Sequence, residues 1–442
     1  MKKFLKSIVP EWVFSIYYRG LALLGAFYYG FPSEKMIVVG ITGTKGKTST
    51  ANFIWSCAMS AGIKAGIVTT ANIRIGDKEI LNPYHMTMPG RFTIQRLLAE
   101  MVREGCRLCV VETTSEGLKQ SRHVGVEYDF AVFTNLTPEH LPSHGGDFEN
   151  YKRAKGVLFS TLSKTKRKFL DNQEIGKVIV ANTDSEHAQF FVNFLADKKI
   201  SFGLREKADF NAKEIKETAS GVTFSVGDRT YALSLLGAFN VYNALPAMIV
   251  LRTLGVTDEV IAKGLSELKM IPGRMELIDS GQDFTLIVDY AHEKQSITGV
   301  LDTARAMTVR EGGVNHKVII LLGAEGGGRD KAKRPIIGEL SAKKADYVVV
   351  SNVDPYEDDP REIVEDIAVV AEKFGKVRGQ DLFVIEDRRA GIAKAISMAK
   401  VGDIVLITGK GAEQSMIIGG KSIPWDDRVV VREELKKLLA GR

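Results

Sequence analysis

Residues 40–50 have the sequence GITGTKGKTST and follow an apolar run, MIVV, that predicts a buried strand. Gly43 and Gly46 allow backbone N–H groups to turn towards a phosphate. Lys47 can reach the terminal phosphates of a nucleotide, and the Thr48 hydroxyl can bind Mg²⁺. The usual phosphate-loop spacing also requires glycine five positions before Gly46, where this chain has isoleucine. The strand, the loop and a following helix nevertheless predict a nucleotide phosphate site.

Phosphoryl transfer also needs anionic metal ligands, and candidates follow two later strands. Glu112 ends the run RLCVVE, where an acidic residue on a second strand could hold a metal. His140 and His144 follow the run YDFAVFTN. Pro142 and Gly145 argue against a helix there, so a zinc site on one helical turn is not expected. An exposed loop position is the alternative interpretation of either histidine.

The elements that must position these residues alternate between apolar strands and amphipathic helices from residue 36 onward. This alternation predicts an α/β fold with a mostly parallel sheet covered on both faces. Helices are expected over 91–104, 148–163 and 257–268, and Gly227–Asp228 predicts a hairpin turn. We therefore expect a P-loop-type central ATPase domain followed by a C-terminal Rossmann-like, doubly wound domain.

The chain has 442 residues, which is too long for one ordinary core. We predict three segments: a short apolar and aromatic segment over 1–35, a central ATP-binding domain over 36–272 and a C-terminal domain over 273–442. The net charge of +6 is too dilute to indicate nucleic-acid binding. Three cysteines cannot build a disulfide framework, which predicts buried core cysteines in a reducing, cytoplasmic compartment.

The N-terminal segment is apolar and aromatic, but Glu11 and Arg19 interrupt it. The run after Arg19 is shorter than the roughly 20 residues that span a bilayer. Two interpretations stay open: a helix packed on the protein's own surface, and peripheral membrane contact through residues 11–31. The first is favoured, because the run lacks a strongly charged polar face.

Several ordered motifs resemble those of the Mur ligases. They are GITGTKGKTST, VVETTSEGLKQSRHVG, FAVFTNLTPEHLPSHG, YKRAKGVLF, GAFNVYNALPA, GRME, VDYAH, GGGRDKAKRP and GKGAE. Within that family they are most similar to the tripeptide synthetases, which add the third residue of the peptidoglycan stem. The resemblance covers nearly everything from residue 36 onward, and the family's shorter glycine loop explains the isoleucine in the phosphate loop.

The resemblance implies an ATP-dependent acid–amino-acid ligase that forms an amide bond through an acyl phosphate and releases ADP and phosphate. Its cofactors would be ATP and two Mg²⁺ ions. Thr48, Glu112 and His140 would bind metal, together with Lys155, whose counterpart in the family is carbamylated. A carbamylated lysine carries a negative charge, so it can hold a metal that an ammonium group would repel. The catalytic set that the resemblance implies is Lys47, Glu112, His140, Lys155 and His292.

The resemblance also assigns substrate-binding residues. Those for ATP are Gly43, Thr44, Lys45, Gly46, Lys47, Thr48, Ser49, Asn135, Asn240, Asn243, Arg274 and Asp289. Those for the acceptor are Thr87, Pro89, Thr114, Ser115 and Arg122. Those for the incoming amino acid are Arg329, Asp354, Pro355, Tyr356, Gly409 and Glu413. The partners are therefore small molecules, an amino acid and a muramoyl-peptide-like acceptor, and a monomer is expected.

Three departures from the family pattern bear on the substrates. Only about 35 residues precede the ATP-binding domain, so the family's N-terminal UDP-binding domain has no counterpart in the sequence. Diaminopimelate enzymes carry Asp-Asn-Pro-Arg, whereas this chain has Tyr356 in place of the arginine. Ala412 and Glu116 each stand where the family has histidine. These changes predict an altered pocket and intact catalysis, with a diamino acid as the added residue.

Two alternatives stay open. A Mur-like ligase could act on another acceptor, such as a pseudomurein-type, lipid-linked, polyglutamate or cyanophycin-like molecule. A membrane-associated protein that only binds ATP is the alternative from another class, and the metal and phosphate residues argue against it.

Overall fold

The computed structural model describes residues 11–84, 86–139, 141–205, 207–218, 220–308 and 316–441. The chain divides into two compact units. The first unit comprises the chain up to Ile215 together with Thr223–Leu233 and Asn240–Leu268. The second comprises Lys216–Val222, Ser234–Phe239 and Lys269–Arg442.

The first unit is built on one large sheet. Thirteen strands precede residue 234 in the described chain: β1 (Ile37–Thr42), β2 (Ala65–Val68), β3 (Asn72–Ile75), β4 (Lys78–Leu81), β5 (Leu108–Glu112), β6 (Phe130–Phe133), β7 (Lys168–Leu170), β8 (Gln173–Ile175), β9 (Val178–Asn182), β10 (Lys198–Gly203), β11 (Phe210–Thr218), β12 (Gly221–Val226) and β13 (Arg229–Leu233). All but β7 and β8 join the sheet, in the order β13-β12-β11-β10-β9-β6-β1-β5-β2-β3-β4. The strands from β11 to β2 in that order are parallel, which confirms the predicted sheet.

Eight helices of the described chain precede the second alternating series: α1 (Glu11–Tyr28), α2 (Lys47–Ser60), α3 (Arg91–Arg103), α4 (Ser115–Lys119), α5 (Phe148–Lys164), α6 (Ala188–Val192), α7 (Phe239–Thr253) and α8 (Asp258–Glu267). Two 3₁₀ turns lie at Pro32–Lys35 and Leu141–His144. The predicted helices over 91–104, 148–163 and 257–268 are confirmed as α3, α5 and α8. The three cysteines are buried and unpaired with one another, as expected.

Parallel pairing fixes where the site can form. In the register of β1 with β5, Ile41 lies opposite Glu112, and β6 places Phe133 opposite Thr42. Strand β1 ends before the phosphate loop, β5 ends at Glu112 and β6 ends shortly before Asn135. These three strand ends therefore lie at one edge of the sheet. In parallel α/β sheets this carboxyl edge is where ligands bind.

The second unit is also built on a mostly parallel sheet, which is smaller. Its strands are β14 (Glu276–Leu277), β15 (Thr285–Asp289), β16 (Val318–Leu322), β17 (Tyr347–Val350), β18 (Leu382–Val384), β19 (Ile404–Thr408), β20 (Ser415–Ile418) and β21 (Lys421–Pro424). Its helices are α9 (Lys294–Thr308), α10 (Lys333–Lys344), α11 (Pro360–Lys373), α12 (Arg388–Ser397) and α13 (Asp427–Ala440). The sheet order is β14-β15-β19-β16-β17-β18, in which β14 is antiparallel to β15 and every other pair of neighbouring strands is parallel. Separate apolar cores cover its two faces, as a doubly wound fold requires.

The structure describes residues 11–35 of the N-terminal segment, which contain helix α1 and the 3₁₀ turn Pro32–Lys35. Helix α1 packs on α3 through small residues, with Ala22 and Ala26 buried, as the surface-helix interpretation predicts. Across the described residues, no helix combines the length and hydropathy that crossing a membrane would require.

Candidate active site

The phosphate loop between β1 and α2 depends on two glycines in the left-handed region. Gly43 has φ 147°, and a Cβ atom there would lie 2.0 Å from Thr134 Oγ1. Gly46 has φ 84°, and a Cβ atom there would lie 2.2 Å from Asn243 Oδ1. Any side chain at either position would clash, so both glycines are needed for this loop path.

Two residues that directly follow β6 hold the phosphate loop in place. Asn135 O accepts from Thr44 N at 2.8 Å, and Asn135 Oδ1 accepts from Lys45 N at 2.9 Å. Thr134 Oγ1 donates to Lys45 O at 2.7 Å. Asn135, predicted as an ATP-binding residue, therefore contacts the loop itself and fixes its shape.

Glu112 lies at the centre of the site, on β5 and 2% exposed. Its Oε2 accepts from Thr48 Oγ1 at 2.8 Å and from Thr70 N at 2.9 Å, while Oε1 accepts from Thr70 Oγ1 at 3.0 Å. Lys47 Nζ lies 3.9 Å from the same carboxylate and donates to Gly43 O and Thr44 O. The structure thus brings Lys47, Thr48 and Glu112 together, as predicted.

This donor set fits Mg²⁺. The Thr48 hydroxyl and the Glu112 carboxylate are hard oxygen donors 2.8 Å apart at the mouth of the phosphate loop. Mg²⁺ is usually held by one or two carboxylates plus substrate phosphates, without a complete protein cage. The described residues, which do not include His140, contain no cluster of three or more His, Cys, Asp and Glu side chains able to hold a metal.

Lys155 occupies an unusual place for a helical lysine. It lies on α5, is 2% exposed, and its Nζ donates to Gly43 O at 2.7 Å. The ammonium group also lies 4.5 Å from the ring centre of Tyr151. Burial, followed by the charge of Lys47, holds the pKa of Lys155 well below its ordinary value. The side chain therefore reaches the phosphate loop from a helix more than a hundred residues away in sequence.

The segment after β6 contributes further groups. Lys45 Nζ pairs with Glu139 Oε2 at 3.0 Å. His140 lies outside the described residues. His144 is buried, and its Nε2 lies 3.0 Å from Ser115 Oγ, so the alternative interpretation of an exposed loop position is wrong for this histidine. Burial and the charges of Lys119 and Lys155 lower the pKa of His144.

The predicted acceptor residues lie in two segments, 87–89 and 114–122, and the second of these follows β5 and Glu112 closely. Thr87 Oγ1 is 2.7 Å from Thr70 Oγ1, which joins it to the Glu112 carboxylate. Thr114 caps α4 by accepting from Gly117 N at 3.1 Å. Arg122 donates to Met88 O and, at 2.7 Å, to Gln120 Oε1, beside the buried Pro89.

Two of the predicted ATP-binding residues lie at the start of α7. Asn243 Nδ2 donates to Asn240 Oδ1 at 2.8 Å, and both side chains are buried. Asn243 also lies against Gly46, so this pair is joined to the phosphate loop. Ser49, in the first turn of α2, is buried.

In the second unit, three predicted residues surround the end of β15. Asp289 accepts from Met275 N and Ala291 N, each at 2.7 Å. Arg274 lies over the Tyr290 ring, with its guanidinium carbon 4.5 Å from the ring centre. His292 Nδ1 lies 2.6 Å from Tyr290 O. Because a carbonyl only accepts, this contact makes Nδ1 the donor and leaves Nε2 as the acceptor in the neutral ring.

A buried cation organises the predicted amino-acid pocket. Lys410 is 0% exposed, and its Nζ lies 2.8 Å from Asp354 Oδ2 and 2.5 Å from Glu413 Oε2. Tyr290 OH donates to Glu413 Oε1 at 3.3 Å. Burial raises the pKa of Glu413 despite the opposing charge of Lys410. Asp354 and Glu413, predicted from sequence, thus share a partner that was not predicted.

Tyr356 departs from ordinary backbone geometry as well as from the family motif. It has φ 55° and packs on Gly327, where a Cβ atom would lie 2.6 Å from its ring. Its side chain hydrogen-bonds Arg329, and the charge of Glu325 raises the pKa of that arginine. Pro355 is buried beside it, and Gly409 has φ 115° at the end of β19. The structure therefore brings the predicted amino-acid residues together at one carboxyl edge.

Several residues of these two sites were missed in the sequence. They are Thr70, Glu139, Tyr151, Glu325 and Lys410. Thr70 had a usable signal, since it follows β2 at the same sheet edge as Glu112. Lys410 lies inside the GKGAE motif, but nothing in the sequence showed that it would be fully buried between two acids.

Family models support the assignment suggested by this geometry. The model of the Mur ligase middle domain matches residues 41–251, and that of the Mur ligase, glutamate ligase domain matches residues 273–411. The first matched segment contains the phosphate loop, Glu112 and Lys155. The second contains Arg329, Tyr356 and Gly409.

Individual relatives of this chain point to the same family as the family models. The chain is 37% identical over 97% of its length to UDP-N-acetylmuramoyl-L-alanyl-D-glutamate–2,6-diaminopimelate ligase of Geobacillus kaustophilus, covering 85% of that protein. It is 37% identical over 95% of its length to UDP-N-acetylmuramyl-tripeptide synthetase of a Roseiflexus species, covering 82% of it. A solved diaminopimelate ligase structure matches 92% of this chain and 79% of its own, with 29% identity and a TM-score of 0.60. The chain therefore belongs to the Mur ligase family of ATP-dependent acid–amino-acid ligases.

Proposed function

We propose that this ligase adds a diamino acid to the free carboxylate of a peptidoglycan-precursor-like acceptor. The observation that carries the proposal is the joint presence of a phosphate loop bonded to Glu112 and an acidic amino-acid pocket around Lys410. We propose that residues 36–272 bind ATP and the acceptor, and that residues 273–442 bind the amino acid. The enzyme would act as a monomer.

The reaction has two steps. The acceptor carboxylate attacks the γ-phosphorus of ATP, the bond to the β–γ bridging oxygen breaks, and ADP leaves. The amine of the incoming amino acid then attacks the acyl carbon, loses a proton and expels inorganic phosphate. One amide, one ADP and one phosphate form for each ATP. Because water hydrolyses an acyl phosphate, the amine must be bound before the first step proceeds far.

The residues around the phosphate loop have separate roles in this scheme. Lys47 stabilises the charge that develops on the transferred phosphoryl group. Thr48 and Glu112, with His140 and a carbamylated Lys155, would hold two Mg²⁺ ions, which neutralise charge between ATP and the attacking carboxylate. Thr87, through Thr70, orients the acceptor beside Glu112.

The buried position of Lys155 supports its carbamylation. An ammonium group next to Lys47 is unfavourable, and the lowered pKa leaves more of the lysine as the uncharged amine that can combine with carbon dioxide. The product is an anion, which suits a place facing Lys47 and Lys45.

Labelling with ¹³C-bicarbonate should therefore give one carbamate carbonyl signal in the ¹³C NMR spectrum, and Lys155→Met should remove it. Turnover of that variant should fall by about 10²-fold or more, as for loss of one electrostatic group in an active site. Lys152→Met, one turn earlier on α5, should keep both signal and turnover. A fully active wild-type enzyme without a carbamate signal would contradict the modification.

The side chains of the pocket around Lys410, in the second unit, support the proposal of a diamino acid as substrate. Glu413, Asp354 and Glu325 supply carboxylates for ammonium groups, and Arg329 supplies a cation for a carboxylate. Tyr356 offers one hydroxyl, already bonded to Arg329, where an arginine would offer a charged, bidentate partner. The pocket therefore has less to bind a distal carboxylate than the diaminopimelate enzymes have.

Tyr356→Arg should raise kcat/KM for meso-diaminopimelate relative to lysine by about tenfold or more, the value of one charge-assisted hydrogen-bonded pair. Tyr356→Phe removes only the hydroxyl and should change the ratio by less than about threefold. Steady-state kinetics with both amino acids measure this ratio. An unchanged ratio in Tyr356→Arg would show that Tyr356 does not govern selection of the side chain.

The direct test of the proposed function is phosphate release from ATP with a muramoyl-dipeptide acceptor and a panel of amino acids. Release should depend on the acceptor and on one diamino acid together. A ligase acting on another acceptor is the second candidate, and it is favoured by the exposed apolar helix beside the acceptor residues.

A further inference from the structure

Helix α1 presents a continuous apolar stripe to solvent. Its members are between 50% and 73% exposed, and they are Ile16, Tyr17, Leu23, Leu24, Phe27 and Tyr28. Their spacing places them on one side of a helix. The opposite side carries the small residues Ala22 and Ala26, which are buried. The helix therefore packs through its small residues and leaves its large ones outside.

The buried side fixes the stripe beside the acceptor residues. A Cβ atom at Gly25 would lie 3.5 Å from the Arg91 carbonyl oxygen and from Phe92. The Arg91 guanidinium carbon lies 3.9 Å from the ring centre of Tyr18. Arg91 follows Thr87 and Pro89 closely in the chain, so α1 lies next to the segment that we assign to the acceptor.

Charge indicates what covers the stripe. The first 35 residues hold five basic and two acidic side chains, so they carry half of the net charge of +6. Arg19, on α1, and Lys35, just after it, are exposed. Tyrosine is enriched at bilayer interfaces, and basic residues are attracted to an anionic surface, so an exposed apolar stripe with these neighbours fits the surface of an anionic bilayer.

We propose that α1 docks the first unit on the surface of an anionic phospholipid bilayer. The docked helix lies along the surface and holds the acceptor segment at the membrane, where an acceptor carried on a lipid can reach it. The location of the acceptor segment rests on the proposed function, whereas the docking itself rests only on α1.

Vesicle co-sedimentation of the full chain tests the docking. Vesicles of phosphatidylcholine and phosphatidylglycerol in equal parts should bind the protein about tenfold more tightly than phosphatidylcholine alone, because each basic residue near an anionic surface adds attraction. Leu24→Glu combined with Phe27→Glu should weaken this binding by about 10²-fold, since two apolar groups are lost and two like charges are added. The matched control, Phe169→Glu with Leu195→Glu, changes two apolar residues of the same unit that are at least as exposed, and it should bind like wild type.

A second measurement does not depend on a destabilising change. An environment-sensitive dye on Leu24→Cys should shift to the blue on anionic vesicles, and the same dye on Leu195→Cys should not. Equal binding by wild type and the stripe variant would overturn the docking. So would a wild-type dimer in solution that the stripe variant breaks, because a second copy would then cover the stripe.

Vesicle binding is measured without ATP or amino acid. The docking through α1 and the proposed ligase function can therefore fail independently of each other. A ligase that is active with a soluble acceptor but binds no vesicle overturns the docking alone. A chain that binds anionic vesicles through α1 but makes no peptide supports the docking and overturns the proposed acceptor.

Discussion

Replacing Lys47 with methionine should lower the turnover number by about 10³-fold, or ~4 kcal/mol of transition-state stabilisation. Lys47 Nζ lies among Gly43 O, Thr44 O and the Glu112 carboxylate, where we propose that the terminal phosphates of ATP bind. Methionine keeps most of the side-chain length but removes the charge. Phosphate release under saturating substrates, with ATP binding measured by calorimetry, separates loss of chemistry from loss of binding.

Lys45→Met is the matched control for this prediction. It removes the same charge from the same loop, but Lys45 pairs with Glu139 and is more exposed than Lys47. Its turnover should fall less than that of Lys47→Met and stay within about tenfold of wild type, because the Lys45 charge is already paired with Glu139. Equal losses in the two variants would show that net charge of the loop matters and that Lys47 has no special role.

Replacing Asp129 with alanine should destabilise the first unit by about 3–5 kcal/mol, the usual result of removing one partner from a buried ion pair. Asp129 is 0% exposed and accepts from Val38 N at 2.9 Å, from Lys177 Nζ at 3.1 Å and from Lys168 Nζ. The variant would leave two buried lysines without their carboxylate. Chemical denaturation followed by far-ultraviolet circular dichroism measures the change.

Glu174→Ala removes an acid of the same unit whose pairing with Arg167 is exposed on both sides. Its effect should stay within about 0.5 kcal/mol, as for surface ion pairs in general. If Asp129→Ala matched this small value, the buried cluster would contribute little, and the lysines would have found water or other acceptors.

The sequence predicted the elements that repeat with a clear period. The strands that end before the phosphate loop and at Glu112 follow from apolar runs, and the meeting of Thr48 with Glu112 follows from parallel pairing. The helices α3, α5 and α8 follow from their amphipathic spacing. These features depend on local pattern and on one rule of sheet geometry.

Contacts between distant segments could not be predicted in this way. Lys155 would be an exposed lysine by helical pattern alone, yet it bonds the phosphate loop 112 positions earlier. His144 looked like a loop histidine, but tertiary packing buries it against Ser115. Lys410 is a third case, because its partner Asp354 lies 56 residues away and only the fold brings the two together.

We propose that this one enzyme joins the acceptor to a diamino acid and splits ATP to ADP and phosphate as it does so. The measurement that tests it most directly is simultaneous quantification of phosphate and peptide product, with a muramoyl-dipeptide acceptor and lysine or diaminopimelate. We predict one phosphate per new amide bond, and no release above background when either the acceptor or the amino acid is omitted. ATP binding without stimulated release by any acceptor and amino-acid pair would contradict the claim.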